Sequence, residues 1–194
     1  MDKLKRQDLW GLEEYDEKRE AFRRELMEYR RERRLAIGPH VTLHFEDRKT
    51  IRYQIQEMLR AEKIFEREGI EEELTAYNPL IPDGDNLKAT MMIEYEDVAE
   101  RRAALGKLGG IERKVWIAAD GGERNYAVAD EDMERSSEER TSAVHFLRLE
   151  LDEAARKAFK DSGKLAAGVD HDRYREVVEP LPADLVQSLA QDLD

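Results

Sequence analysis

A change of hydrophobic period between residues 40 and 68 is the feature that most constrains the fold. Residues 40–46 alternate, with Val41, Leu43 and Phe45 on one side and polar side chains on the other. This is the pattern of a half-buried strand. The next segment has apolar residues at helical spacing, can be capped at its start, and is predicted to form a helix over 50–68 that stops at a glycine. The chain therefore combines both kinds of element.

The remaining elements alternate irregularly. We predict strands over 88–96, 112–119, 125–129 and 143–151, helices that begin after Asp97 and Asp152, and a C-terminal helix whose first turn contains Pro182. The strands over 112–129 are predicted to form a hairpin around an Asp-Gly-Gly turn, and the polar segment 130–142 is predicted to be an exposed loop or a poorly ordered segment. This order predicts an α+β fold with a mixed or mainly antiparallel sheet and flanking helices, in a single domain over 1–194.

A long charged helix is predicted at the N-terminus, over residues 12–35. Its narrow apolar stripe consists of Leu12, Tyr15, Phe22, Leu26 and Tyr29. A helix with so thin a stripe has little to bury by itself, so it lies across the body, extends from it or pairs with a second subunit, which makes a homodimer possible. Arg30, Arg31, Arg33 and Arg34 crowd its end, where they complement the helix dipole or engage phosphates or an acidic protein.

The composition excludes several classes of protein. The 194 residues include 33 Lys and Arg, 45 Asp and Glu and no cysteine, which gives a formal charge of −12. The lack of thiols removes disulfides, zinc ribbons, iron–sulfur ligation and cysteine nucleophiles. The negative charge disfavours nucleic acid. We also find no signal peptide and no apolar run near the ~20 residues of a membrane span, so we expect a cytoplasmic protein without a membrane segment.

Glu62 is the most informative oddity of the predicted helix 50–68. The inner face of that helix consists of Ile51, Ile55, Met58, Leu59 and Phe65. At ~100° per residue, Glu62 falls within this stripe and Glu66 lies on its margin. A buried carboxylate must be protonated, hydrogen-bonded, bound to a metal or paired with an arginine, for which Arg19 and Arg33 are candidates.

The histidines extend this reasoning to a possible metal site. His40 and His44 lie ~13 Å apart on one strand, so at most one of them is a natural ligand. The candidate cluster combines one of them with Glu62, Glu66 and, as a further candidate ligand, His145 or His171, a donor set that suits iron, manganese or zinc.

Structural roles remain open for each of these histidines. His40 and His44 can lie on a solvated sheet face, and His145 can be a buried neutral side chain. His171 can simply close a turn in the segment Asp170-His171-Asp172.

Several segments resemble a known bacterial family. They are GPHVTLHFED (38–47), YQIQEMLRAEKI (53–64), YNPLIPDGDNLKATMMIEY (77–95) and GVDHDRY (168–174). Together they resemble the family called Domain of Unknown Function 3501, and the resemblance spans nearly the whole chain. It implies no reaction. It does imply a redox or oxidative-stress setting, with a rubrerythrin-like protein or an iron–sulfur oxidoreductase as a partner.

Two functions remain open from the sequence. The first is a binding or accessory protein that uses the charged first helix and the loop 77–86 as recognition surfaces in a redox system. The alternative is a small metal-dependent enzyme or sensor with His and Glu ligands.

Overall fold

The computed structural model describes residues 1–129, 141–161 and 163–194. Within them the chain forms six α-helices and two antiparallel sheets, which confirms the α+β prediction. Most of the predicted loop 130–142 lies outside the described residues.

The helices are α1 (Leu12–Arg31), α2 (Arg48–Ala61), α3 (Arg67–Tyr77), α4 (Val98–Leu105), α5 (Glu153–Lys160) and α6 (Ala183–Ala190). The strands are β1 (Arg34–Ile37), β2 (Val41–Glu46), β3 (Asn86–Ile93), β4 (Val115–Ala119), β5 (Asn125–Tyr126), β6 (Val128–Ala129), β7 (Val144–Glu150), β8 (Leu165–His171) and β9 (Tyr174–Val178).

The two sheets share one apolar core. The first has the strand order β1-β2-β3-β7-β6, and the second has the order β5-β4-β8-β9. Inward side chains of both sheets belong to one buried cluster, which α5 and α6 also join. The Tyr174 hydroxyl links the sheets, because it donates to the carbonyl of Ile37 at 2.6 Å and accepts from the amides of His40 and Val41 at 3.0 and 3.2 Å.

The first helix is shorter than predicted and lies against α2. Its predicted stripe is used internally, since Tyr15, Phe22 and Leu26 are buried. The last two residues of the predicted helix, 34 and 35, instead begin β1, which pairs with β2 so that Leu35 lies opposite Leu43 in the core. Strand pairing buries more apolar surface there than another helical turn would, because the alternation of Leu35 and Ile37 matches a strand.

The end of α2 also differs from the prediction, because the helix stops at Ala61. Lys63 adopts a left-handed conformation with φ of 55°, and the Ile64 amide donates to the Leu59 carbonyl at 2.8 Å. This is a Schellman-type termination, in which Ile64 folds back onto the same apolar cluster as Leu59. A lysine occupies the position that glycine usually takes, so the sequence gives no obvious stop signal there.

The loop 77–86 holds the N-terminal segment. The Asn78 side chain accepts from the Leu4 amide at 2.9 Å and donates to its carbonyl at 3.0 Å, while the Lys3 ammonium reaches the Ile81 carbonyl and the Asp83 carboxylate, each at 2.6 Å. Ile81 is completely buried. The loop is therefore fixed by contacts within the chain, and its interpretation as a recognition surface stays a prediction.

The length and apolarity of the helices were compared with those of a membrane span. None of the helices in the described part of the chain has both the length and the apolarity needed to cross a bilayer.

Candidate functional site

Glu62 does not point into the core, so the burial predicted for it is wrong. It caps the C-terminus of α2 and is exposed, and Glu66, the N-cap of α3, is exposed as well. The early end of α2 is the physical reason. The helical wheel that placed Glu62 among aliphatic residues does not extend past Ala61, and Phe65, predicted on the same inner face, is 72% exposed.

The four histidines lie in different environments. His40 is half-buried and stacks on the Tyr95 ring at 3.8 Å, and His44 is half-buried on the outer side of β2. Burial and the charge of Arg34 lower the pKa of His44. His145 is fully buried, with Nε2 at 2.7 Å from the Thr141 hydroxyl.

The predicted metal ligands are not assembled into a metal-binding group. His171 Nε2 lies 3.2 Å from the Gly109 carbonyl, and its Nδ1 accepts from the Arg173 amide in a turn. Within residues 1–129, 141–161 and 163–194, no three His, Asp or Glu side chains form a group that could hold a metal ion.

Another carboxylate of α2, Glu57, makes the arginine pair that was predicted for Glu62. Arg19 of α1 binds it through two hydrogen bonds of 2.7 and 2.8 Å, and the Tyr15 hydroxyl donates to it at 2.6 Å. The hydrogen bond from Arg19 is the main reason that the pKa of Glu57 falls to about 2. This group fastens α1 to α2 and has all its acceptors occupied, so its role is structural.

The second predicted arginine, Arg33, lies just beyond α1 and is almost completely buried. It forms an ion pair with Asp192 after α6, lies 3.7 Å from Asp47, and donates to the Phe45 and Ser188 carbonyls at 3.2 and 3.3 Å. It thus joins the C-terminal segment to the start of α2. Burial raises the pKa of Asp192 to about 6, against the opposing effect of Arg33.

The most prominent exposed feature is an acidic surface around α3. We call it the α3 surface and define it as Glu62, Phe65, Glu66, Glu68, Glu71 and Glu72, all of which are exposed. Residues 62–73 contain six glutamates against Lys63 and Arg67. Partial burial, with the charges of Glu72 and Glu62, raises the pKa of Glu73, which shows how closely these carboxylates are crowded.

Phe65 protrudes from this acidic surface. It is the most exposed large hydrophobic side chain of the described residues. Its neighbour Ile64 points the other way, into the apolar cluster beneath α2 and α3. Gly69 makes this tight turn possible, because a Cβ at that position would lie 2.8 Å from the Ile64 side chain. The turn therefore presents Phe65 from a fixed backbone.

A shallow hollow of about 740 Å³ lies along the outer side of α3. It is lined by Arg67, Glu68, Glu71, Glu72, Thr75 and Ala76. The opposite side of the helix is anchored by Leu74, which packs with Leu4 and Ile81. A rigid helix, a protruding aromatic ring and an open acidic hollow together suit the docking of another macromolecule better than the enclosure of a small substrate.

Comparison with known proteins identifies the family. A family model described as "Protein of unknown function (DUF3501)" matches residues 3–193. The chain belongs to this family. One similar solved structure is the crystal structure of a novel protein of unknown function from Burkholderia pseudomallei K96243. Its sequence is 47% identical to that of this DUF3501 member, the match covers 100% of each chain, and the TM-score between the two structures is 0.93. No curated protein matches the chain.

Sequence reasoning missed the α3 surface for an identifiable reason. The helical pattern placed Phe65 on the inner face of one long helix, whereas the structure places it on the turn between two helices. The run of glutamates over 66–73 was a visible signal. Its pairing with an exposed aromatic residue could be recognised only once the helix end at Ala61 was known.

Proposed function

We propose that the protein is a non-catalytic binding protein whose α3 surface docks onto a basic surface of a partner protein. The observation that carries the proposal is Phe65, which is 72% exposed in the middle of a carboxylate-rich surface. Exposing a phenylalanine to water is unfavourable, whereas burying it in a partner is worth about 1.5–3 kcal/mol. Aromatic residues surrounded by charged rims are a common arrangement in protein interfaces.

Charge complementarity defines the partner. The exposed carboxylates Glu62, Glu66, Glu68, Glu71 and Glu72 require lysine or arginine side chains opposite them. Such charges accelerate and orient the encounter, and the apolar contact of Phe65 then slows dissociation. Binding should weaken with rising salt, because exposed charge pairs are screened over about 8 Å at physiological ionic strength.

The partner and its setting come from the family resemblance. It implies a rubrerythrin-like protein or an iron–sulfur oxidoreductase, so we propose an accessory role in a redox or oxidative-stress system. An accessory protein without cysteine would not itself carry electrons on thiols or cysteine-bound clusters. It would instead hold or orient the proteins that do.

The test is a binding titration against each of these two purified partners at low and physiological salt. We expect saturable binding to at least one partner and a loss of about tenfold or more in affinity for Phe65→Ala, as for an interface anchor. Val98→Ala is the matched control, because Val98 is 59% exposed on α4.

A charge reversal tests the acidic part separately. Glu68→Lys combined with Glu71→Lys should weaken binding and reduce its salt dependence. Glu17→Lys combined with Glu20→Lys makes the same change of net charge, with the same spacing, on exposed positions of α1. The proposal is contradicted if neither partner binds, or if both double variants reduce the affinity equally.

A further inference from the structure

A second feature, independent of the α3 surface, lies between the N-terminal segment and α2. It is a pocket of about 610 Å³ whose walls include Trp10, Phe22, Arg48, Lys49 and Arg52. The aromatic walls are packed together, with the two ring centroids 5.3 Å apart. Three cationic side chains therefore gather beside aromatic rings in a protein whose formal charge is −12.

The guanidinium of Arg52 forms no ion pair among the residues that the structure describes, and the carboxylates of Asp8 and Glu14 act on it only from a longer distance. It lies 4.0 Å from the centre of the Trp10 ring, and its Nε is buried without a hydrogen bond. Burial, followed by the charge of Arg48, lowers its pKa. Arg48 and Arg52 are one turn apart on α2, a spacing at which like charges repel.

The other charges around the pocket are already compensated. Arg48 binds Asp8 at 2.9 Å, and Lys49 binds Glu25 at 2.6 Å. The carboxylate of Asp47, which also lines the pocket, accepts hydrogen bonds from the Thr50 amide and the Tyr29 hydroxyl and faces Arg33. Asp47 therefore occupies the Thr50 amide at the start of α2.

The Arg48 guanidinium also has unused capacity, because Asp8 binds only its Nη2 and no other residue of the described chain pairs with its Nη1. Two adjacent guanidinium groups match an anion with several oxygens, since each group presents a planar fork of donors. A phosphate group carries enough charge and oxygens to engage both. The pocket is larger than a bare phosphate ion, and Trp10 and Phe22 offer an apolar wall for an organic part.

We infer that this pocket binds a phosphate group, held by the guanidinium groups of Arg52 and Arg48 beside the Trp10 ring. The phosphate can be free or carried by a small organic molecule, and the two sources can be separated by experiment. Binding would neutralise the unpaired charge of Arg52 and relieve its repulsion with Arg48.

The Trp10 indole N–H provides the readout in nitrogen–proton correlation NMR spectra of the full chain. The chain has two tryptophans, so Trp116→Phe assigns the Trp10 signal. The probes are inorganic phosphate and phenyl phosphate, with chloride at matched ionic strength as the blank. We expect saturable shifts of the Trp10 signal with phosphate probes only, and tighter binding of phenyl phosphate if the natural ligand has an organic part.

Variants of α2 show whether the guanidinium groups hold the probe. Arg52→Gln should weaken binding about tenfold or more, and Arg52→Lys should restore only part of it because lysine lacks the planar fork. Arg60→Gln is the control, since Arg60 lies on α2 and pairs with Asp16 at 3.0 Å, outside the pocket. The same spectra report whether each variant is folded.

Three outcomes overturn the inference. They are a chloride response equal to that of phosphate, the lack of a saturable shift with either probe, and unchanged binding in folded Arg52→Gln. Equal affinity for both probes would support the site and identify free phosphate as its ligand.

Discussion

The buried ion pair of Arg33 and Asp192 makes a quantitative prediction about stability and pH. Two carboxylates, Asp192 and Asp47, face a single guanidinium, and the side chains of Arg33 and Asp192 are 1% and 2% exposed. Burial, with the nearby charge of Asp47, raises the pKa of Asp192 from 3.8 to about 6 even though Arg33 acts in the opposite direction. The folded protein therefore holds a proton on Asp192 at a pH where the unfolded chain has released it.

The direction of the effect follows from this proton. Stabilisation from protonated Asp192 is fully present below pH 3.8 and is lost as the pH rises through about 6. At about 1.36 kcal/mol per pKa unit, the loss amounts to about 3 kcal/mol. Asp192→Asn keeps a neutral side chain of the same shape at every pH. We therefore expect its free energy of unfolding, relative to wild type, to rise by about 2 kcal/mol between about pH 4 and about pH 7.5, which is the part of the loss that falls in this range.

Urea denaturation of both proteins across this range provides the measurement. The difference between the two curves isolates Asp192 from the other titrating groups, which both proteins share. A constant difference would refute the reasoning, and so would a variant that becomes relatively less stable as the pH rises. Either result would mean that Arg33 keeps Asp192 ionised throughout and that the attraction within the pair exceeds the cost of burial.

Two further substitutions test how the sheets are held together. Tyr174→Phe should lower the free energy of unfolding by about 1–3 kcal/mol, because a buried carbonyl and two amides lose the hydroxyl that they share. The control is Tyr126→Phe at an exposed position, which should change the free energy of unfolding by about 0.5 kcal/mol or less. Gly168→Ala should lower the free energy of unfolding by about 1–3 kcal/mol, because the new Cβ would lie 2.7 Å from the Trp116 ring. Its control is Gly106→Ala, which should be tolerated because the nearest atom would lie 3.6 Å from the new Cβ. Equal melting temperatures within either pair would contradict these assignments.

Local sequence patterns were sufficient for many of the elements. The alternation over 40–46 predicted β2 with its buried Val41, Leu43 and Phe45, and Asp97 and Asp152 were correctly placed as helix N-caps. These predictions succeeded because alternation and capping depend on residues only a few positions apart. The same patterns failed where a non-glycine residue, Lys63, ended α2 in a left-handed conformation.

The burial of charged groups could not be predicted in this way. Glu46 was expected on a solvated sheet face, yet it is 3% exposed because Thr50 of α2 and Thr90 of β3 donate to it at 2.6 and 2.7 Å. The α3 surface was equally hidden, because the exposure of Phe65 depends on where the neighbouring helix ends. A helical wheel or a strand pattern identifies one face of an element but does not show what packs against the other.

The sequence by itself determined that this chain is an α+β protein without cysteine chemistry. It also determined where most of the strands and helices lie, because short-range periodicity and composition decide these properties. The tertiary structure alone decided which charges are buried and which are presented. Arg33 and Asp192 are 159 positions apart in the sequence, yet they are buried side by side in the folded chain. A buried charge needs partners from distant segments, and only the folded chain supplies them.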